Sequence, residues 1–339
     1  MLQTCRIDQP GKTASRWPFG RGLHPPTNSR TLRMPNEPLS QEWPLLCHSR
    51  PHSFNLHTLT LMDFFTSYNS LLLWLPALLC GFLSGTTCGT LGAFVVGMRI
   101  PFIGICVAHA ALAGAVFAAL FGLEGQWLML PALFTSGLTS LLLGVTNPRW
   151  IKMDDNVMMS VLFSATMGLA FLGLGLFSIM GRTDGDVRSL LWGSIAFCRW
   201  SDVWIMLCVG ALLALFILVF YKELQAILFS REIATASGIR TGAIWGGFLL
   251  LTALVFTVSL QSVGGLMVYS LVTNPAAAAF QLTRGAARCI LLSAFFGMVS
   301  GLGGFLISAW TDLPSGAVIV LLSSSIVFLS ALWRLSKKR

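Results

Sequence analysis

Eight long stretches of this chain contain no Asp, Glu, Lys or Arg, and that spacing of charge constrains the fold more than any other feature. They lie between Asp63 and Arg99, Arg99 and Glu124, Glu124 and Arg149, Asp155 and Arg182, Asp202 and Lys222, Arg240 and Arg284, Arg288 and Asp312, and Asp312 and Arg334. A helical crossing of a bilayer core takes about 20 apolar residues at roughly 1.5 Å per residue. The stretch from Arg240 to Arg284 is about twice that length, and "QSVGG" at 261–265 offers a turn inside it. The expectation is an all-α, polytopic integral membrane protein of about nine transmembrane helices, or eight if the turn is not made. Composition agrees: 55% of the residues are hydrophobic and 10% charged, whereas soluble domains carry about 25% charged residues.

Lys and Arg concentrate in short cytoplasmic loops. With the tail "RLSKKR" inside, alternation puts Arg284 and Arg288, then Lys222, Arg231 and Arg240, then Arg149 and Lys152, then Arg99 on the same side. That side collects twelve basic residues of the membrane region; the other holds Arg182, Arg188 and Arg199, with Glu124 and Asp312. An odd number of spans then starts the first helix outside.

Residues 1–61 depart from this pattern, with eight of the fourteen Pro, four of the five His and seven Lys or Arg. They are expected to be a non-native or disordered leader, ahead of a transmembrane domain at 62–339 whose short lead begins at Met62. The net charge of +9 comes from this leader and from inside loops, and it does not argue for nucleic acid. The eight Cys show no CxxC pair or metal-ligand spacing and read as small apolar packing residues.

Gly81, Gly85 and Gly89 recur at every fourth position of the first span, and Gly297 and Gly301 repeat the device later. Such spacing lets helix backbones approach closely, giving a bundle packed through small residues. Pro275 removes one backbone hydrogen bond inside its span, which is expected to be kinked or broken there. "SLLWGSIAF", after Arg188, is too short to cross and reads as a helix lying at the outer surface.

No HExxH, GxSxG or Walker A pattern occurs, and the membrane region contains one His, so catalysis within the chain is not expected. The informative polar passage is "FSREIATASG" at 229–238, within a segment spanning 222–243 between spans. Ser230 can cap a helix, Glu232 falls in its first turn, and Gly238 can end it in a left-handed conformation. Phe229, Ile233 and Ala236 are spaced to cover one side, leaving Arg231 and Glu232 to meet another molecule.

The pattern Phe-x-x-Glu-x-Ala-x-Ala-x-Gly, spelled by Phe229, Glu232, Ala234, Ala236 and Gly238, resembles the coupling segment of the metal-uptake ABC permeases, the zinc, manganese and iron family. "LGAFVVGMRIPFIGICVAHAALAG" is similar to that family's first loop and second helix, "SVGGLMVYSLVTNPAAAA" to its Val-Gly and Pro-Ala-Ala helix, and "LPSGAVIVLLSSSIVFL" to its final span. The four stretches follow the family's order between about Leu71 and Leu332.

The resemblance implies that this segment docks on a separate cytoplasmic ABC ATPase dimer, whose closure around ATP would drive the permease between inward-open and outward-open states. It also implies an extracytoplasmic metal-binding protein, a second permease copy, and a divalent metal as cargo, with no cofactor bound by this chain. His109 matches the His of the family's Gly-Asp-x-x-x-His motif, but Gly104 is followed by Ile105, so the acidic partner is missing. An ionisable residue within a span is a functional candidate by default. Cys106 stands three residues away and offers a softer ligand, which with His109 makes zinc the first choice, ahead of manganese or iron. Asn274 and Pro275 are further candidates for the pathway, and Asp184, Asp186 and Asp202 are available to the binding protein outside.

Three alternatives stand beside the importer: an ion-coupled secondary carrier, a metal exporter and an intramembrane metalloenzyme. The carrier needs carboxylates within the spans, and none lies there. The enzyme needs three protein ligands and a water, for which one His and scattered Cys do not suffice.

Overall fold

In the computed structural model the described residues are 68–123, 125–145, 155–180 and 198–337. The expected leader, the segment "SLLWGSIAF", Asp184 and Asp186 lie outside them. The described residues form eleven α-helices and one short 3-10 turn, Gly125–Leu128, with no strand among them. The helices are α1 (Tyr68–Gly97), α2 (Phe102–Leu120), α3 (Met129–Val145), α4 (Asp155–Ile179), α5 (Trp200–Val219), α6 (Tyr221–Phe229), α7 (Arg231–Ala236), α8 (Thr241–Val263), α9 (Gly265–Leu282), α10 (Ala286–Thr311) and α11 (Ser315–Ser336).

Apart from α6 and α7, each helix occupies one of the nine stretches expected to cross. Seven of them are long and apolar enough to do so. The other two are α3, with 17 residues, and α9, which carries Ser270, Thr273, Asn274 and Gln281 among its apolar residues. The division of the double-length stretch falls at Gly264, whose φ of 100° is open to glycine and unfavourable for other residues. The helix that follows runs without interruption from Gly265 to Leu282 through Pro275. Of the kink or break expected at Pro275, the break is therefore not made: proline costs that turn one hydrogen bond, and close packing of α9 against α1, α10 and α11 holds the helix together.

Burial sorts the helices. In α1, α2 and α8, 67–72% of the apolar window is inside the protein, against 17% in α4 and 28% in α5 and α11. The first three make the core, with Phe94, Ile103, Cys106, Phe248 and Phe256 in one continuous cluster. The outer helices show Phe171, Leu172, Leu215, Leu218 and Phe328 on their exposed faces, as helices bathed in lipid do, because hydrocarbon rather than water solvates those side chains.

The longest helix contact, α1 on α10, depends on absent side chains. A Cβ on Gly85 would stand 2.3 Å from the carbonyl oxygen of Gly297, and one on Gly301 would stand 2.3 Å from that of Gly81. At Gly89 the facing residue is Ser293, whose hydroxyl donates to the Gly89 carbonyl at 2.5 Å. Small residues in this seam bring the backbones to a distance at which dispersion and weak polar contacts hold them, since lipid provides no hydrophobic drive between helices.

Candidate functional site

The chain reverses between α5 and α8 through α6 and α7, at the end that also holds Arg99, Arg284, Arg288 and Arg334. Leu224 and Ile227 of α6 are buried. A Cβ on Gly97, at the end of α1, would meet Leu228 at 2.7 Å and Phe280 of α9 at 3.1 Å, so the segment is seated against two spans.

Ser230 separates α6 from α7 with an extended backbone, and its hydroxyl accepts from the Ile233 amide at 3.4 Å. Glu232 occupies the first turn, where the helix dipole favours a carboxylate. Gly238 closes the helix at φ 82°, and its amide donates to the Thr235 carbonyl at 3.1 Å. The hydroxyls of Thr235 and Thr241 lie 2.8 Å apart, which ties α7 to the start of α8.

The orientation of α7 differs from the periodic reading. Phe229, Ile233 and Ala236 do not cover a side turned toward the protein; Phe229 is 83% exposed and Ile233 is 56% exposed, with Glu232 beside them. Ala234 faces inward and is buried. A six-residue helix set against packed spans can present only a small side chain at the point of contact, which Ala234 provides and Ile233 does not. Arg231 likewise turns inward: its guanidinium carbon lies 4.4 Å from the centroid of the Trp245 ring on α8. A stacked guanidinium of this kind stabilises by about 0.5–2 kcal/mol, depending on how dry the site is. The outward surface is thus Phe229, Glu232 and Ile233, an apolar pair around a carboxylate.

The second group of residues lies on α2. His109 is half-buried; its ring meets Phe163 of α4 edge-on, with centroids 4.9 Å apart. Its Nδ1 is 2.9 Å from the carbonyl oxygen of Ile105, one turn back. A carbonyl can only accept, so Nδ1 donates here and Nε2 is the ring nitrogen left for another partner. Histidine ligands of metals are commonly oriented by this kind of second hydrogen bond. Ile105, standing where the family has an acid, contributes through its backbone instead.

Cys106 does not join His109. Its side chain is fully buried in the α1, α2 and α8 core, whereas His109 is on the side facing α4. Residues three apart on a helix differ by about 60° in direction, and here that angle separates the side facing α4 from the side facing the core. Among the described residues, no three of His, Cys, Asp and Glu come together closely enough to hold a metal ion.

Asn274 is engaged by the last span. Its Nδ2 donates to the hydroxyls of Ser323 and Ser324 on α11 at 3.0 and 3.1 Å. The neighbouring Pro275 is buried. These contacts hold α9 to α11 through hydrogen bonds between helices. Asp202 is used within the fold as well, its carboxylate accepting from the Arg199 amide at 2.9 Å and capping α5.

Periodicity and motif did not single out Trp245, Phe163, Ser323 or Ser324. The run of three serines in "LLSSSIVF" was a visible polar signal, as was a tryptophan near a basic loop at the end of a span. Nothing local marks Phe163 as the neighbour of His109.

The family model described as the ABC 3 transport family matches residues 70–334. The chain is 31% identical over 254 residues to the manganese transport system membrane protein MntC of Halalkalibacterium halodurans, covering 75% of this chain and 85% of that protein. It is 28% identical over 249 residues to the zinc transport system membrane protein TroC of Treponema pallidum, with 73% and 84% covered. Among solved structures, PsaBC from Streptococcus pneumoniae in complex with Fab superposes with a TM-score of 0.67 at 23% identity, over 79% of this chain and 93% of that chain.

Proposed function

The chain belongs to the ABC 3 transport family, and from that premise we propose that it is the membrane-spanning subunit of an importer for a divalent transition metal. It is a transport permease and not an enzyme, with ATP hydrolysis in a separate subunit. The observation that carries the coupling role is the outward surface of α7. Phe229 and Ile233 expose apolar area at the basic end of the bundle, around Glu232. In a membrane span such area would face lipid, but beside a charged, capped helix it fits the cleft of a cytoplasmic protein. The proposed assembly pairs two permease copies with two ATPase subunits inside and a metal-binding protein outside, in a bacterial plasma membrane. The basic residues of the loops support that orientation.

His109 is the candidate for transient contact with the ion, through Nε2. The preference for zinc rested on a thiol beside the imidazole, and Cys106 is buried elsewhere. Without a thiolate the donors no longer set zinc apart from manganese, and both metals occur in the names of the relatives. We place manganese first and zinc second. A pathway must release what it binds, so a single weak ligand is compatible with conduction.

The test is elemental mass spectrometry of metal-starved cells with and without the gene, complemented by the wild-type chain. A fall in cellular manganese alone supports the proposal, a fall in zinc or iron alone replaces manganese with that metal, and no fall in any of the three removes import of these metals as the function.

A further inference from the structure

We propose that Arg231 is not a contact for the ATPase but a strut that passes movement of α7 into the membrane-spanning helices, through its stack on Trp245. This rests on the coupling reading above and assigns the two adjacent charged residues of α7 to opposite tasks. Glu232 faces outward beside Phe229 and Ile233; Arg231 turns inward, with its guanidinium carbon 4.4 Å from the Trp245 ring centroid. A docking residue must be reachable by the partner, and the ring under this guanidinium is only 4% exposed.

From Trp245 the contact continues through aromatic rings. Its ring centroid is 6.3 Å from that of Phe248 on the same helix, and Phe248 meets Phe94 of α1 at 6.1 Å, edge-on. Phe248 and Phe94 are buried in the main core. Rings this closely packed do not slide independently, because the interior has no spare volume to absorb the shift. The path thus leads from α7 to α8 and α1, and α1 joins through residues 98–101 to α2, which carries His109. Thr235 and Thr241 supply a second attachment, hydroxyl to hydroxyl, between α7 and α8. Capped at Ser230 and closed at Gly238, α7 is short enough to move as one piece.

The indole of Trp245 also has a reason to occupy a second arrangement. Its Nε1 is buried and finds no acceptor among the described residues. Buried donors are seldom left unpaired, so a conformation in which this N–H gains an acceptor is stabilised relative to the present one. A ring held by its faces, with its only polar atom unengaged, can be reoriented by whatever moves the guanidinium above it.

The experiment reconstitutes the full-length permease with its ATPase and metal-binding protein in lipid vesicles. It compares Arg231→Gln, Arg231→Lys, Trp245→Leu, Trp245→Phe and Glu232→Arg. Co-purification of the ATPase, ATP hydrolysis, and manganese taken up per ATP are measured for each. Arg231→Gln and Trp245→Leu are expected to retain the ATPase and hydrolyse ATP, while uptake per ATP falls at least about fivefold, the lower end of measured coupling between sites. Arg231→Lys and Trp245→Phe, which keep a cation and an aromatic face, are expected to stay within about twofold of wild type. If Trp245→Leu does not fold, the Arg231→Gln and Arg231→Lys pair decides the matter. Unchanged uptake per ATP in Arg231→Gln overturns the proposal. So does loss of the ATPase from Arg231→Gln, which would make Arg231 a docking contact. Normal ATPase binding and uptake in Glu232→Arg would instead remove the coupling reading itself.

Discussion

Nδ1 of His109 and the carbonyl oxygen of Ile105 lie 2.9 Å apart, so the position that lacks the family's acid still orients the histidine, through its backbone. Nδ1 donates to that carbonyl, and Nε2 is the nitrogen left to meet a ligand. Any side chain at position 105 would supply the same carbonyl.

Removing the imidazole should therefore affect transport and leave assembly intact. His109→Ala is expected to lower the initial rate of metal uptake by about tenfold or more, the scale seen when metal-site contacts are deleted. The ATPase should still co-purify, since His109 is on a span and not on α7. An uptake rate equal to wild type would return His109 to the packing residues.

Restoring the acid gives a complementary result. Ile105→Asp places a carboxylate one turn before His109, where Ile105 is half-buried. Because a carboxylate adds a hard oxygen ligand, the variant is expected to bind manganese more tightly and release it more slowly. Half-saturation of uptake should shift to lower manganese and the maximal rate should drop. An unchanged saturation curve would show that the ion does not approach this turn of α2.

The outward surface of α7 should fail in a distinctive manner. Glu232→Arg and Phe229→Asp are expected to abolish ATP-driven uptake with the permease folded in the membrane, because both side chains are exposed. Exposed substitutions outside special sites usually alter stability by no more than about 0.5 kcal/mol. Thermal unfolding in detergent and co-purification of the ATPase measure the two effects separately. Full uptake in Glu232→Arg would end its assignment to coupling.

The seam between α1 and α10 should be intolerant of even one methyl group. In Gly85→Ala the new carbon would stand 2.3 Å from the Gly297 carbonyl oxygen, with backbone on the other side. Overpacking of this kind typically costs about 1–3 kcal/mol. Gly242→Ala, where a Cβ meets nothing within 4 Å, is the control. Melting curves in detergent should show a lowered transition for the first and none for the second; equal curves would mean the seam can open without loss.

Asn274 separates two roles by magnitude. As a bond between α9 and α11, its removal in Asn274→Leu should cost about 0.6 kcal/mol, the mean for hydrogen bonds between helices in a membrane, and leave uptake near normal. A severalfold loss of uptake without a matching loss of thermal stability would place Asn274 on the pathway.

Much of the architecture was legible in the chain itself. Residue type decides insertion in a bilayer, because an unpaired backbone or a charge is costly there wherever the rest of the protein lies. The charge-free stretches, the turn at Gly264, and the cap, first turn and end of α7 at Ser230, Glu232 and Gly238 all follow from such local rules. The close spacing of Gly85, Gly89 and Gly297 was equally visible, though not which helices they would join. Tertiary structure decided the directions of side chains. Phe229 and Ile233 face outward and Ala234 inward, where its methyl group is buried in the main core. Cys106 parts from His109 because two different helices pack on adjacent sides of α2, and α9 continues through Pro275 because three helices enclose it. Arg231 meets Trp245 for the same reason: their contact depends on how α7 folds back on α8, a packing choice that the thirteen intervening positions of sequence do not encode one by one.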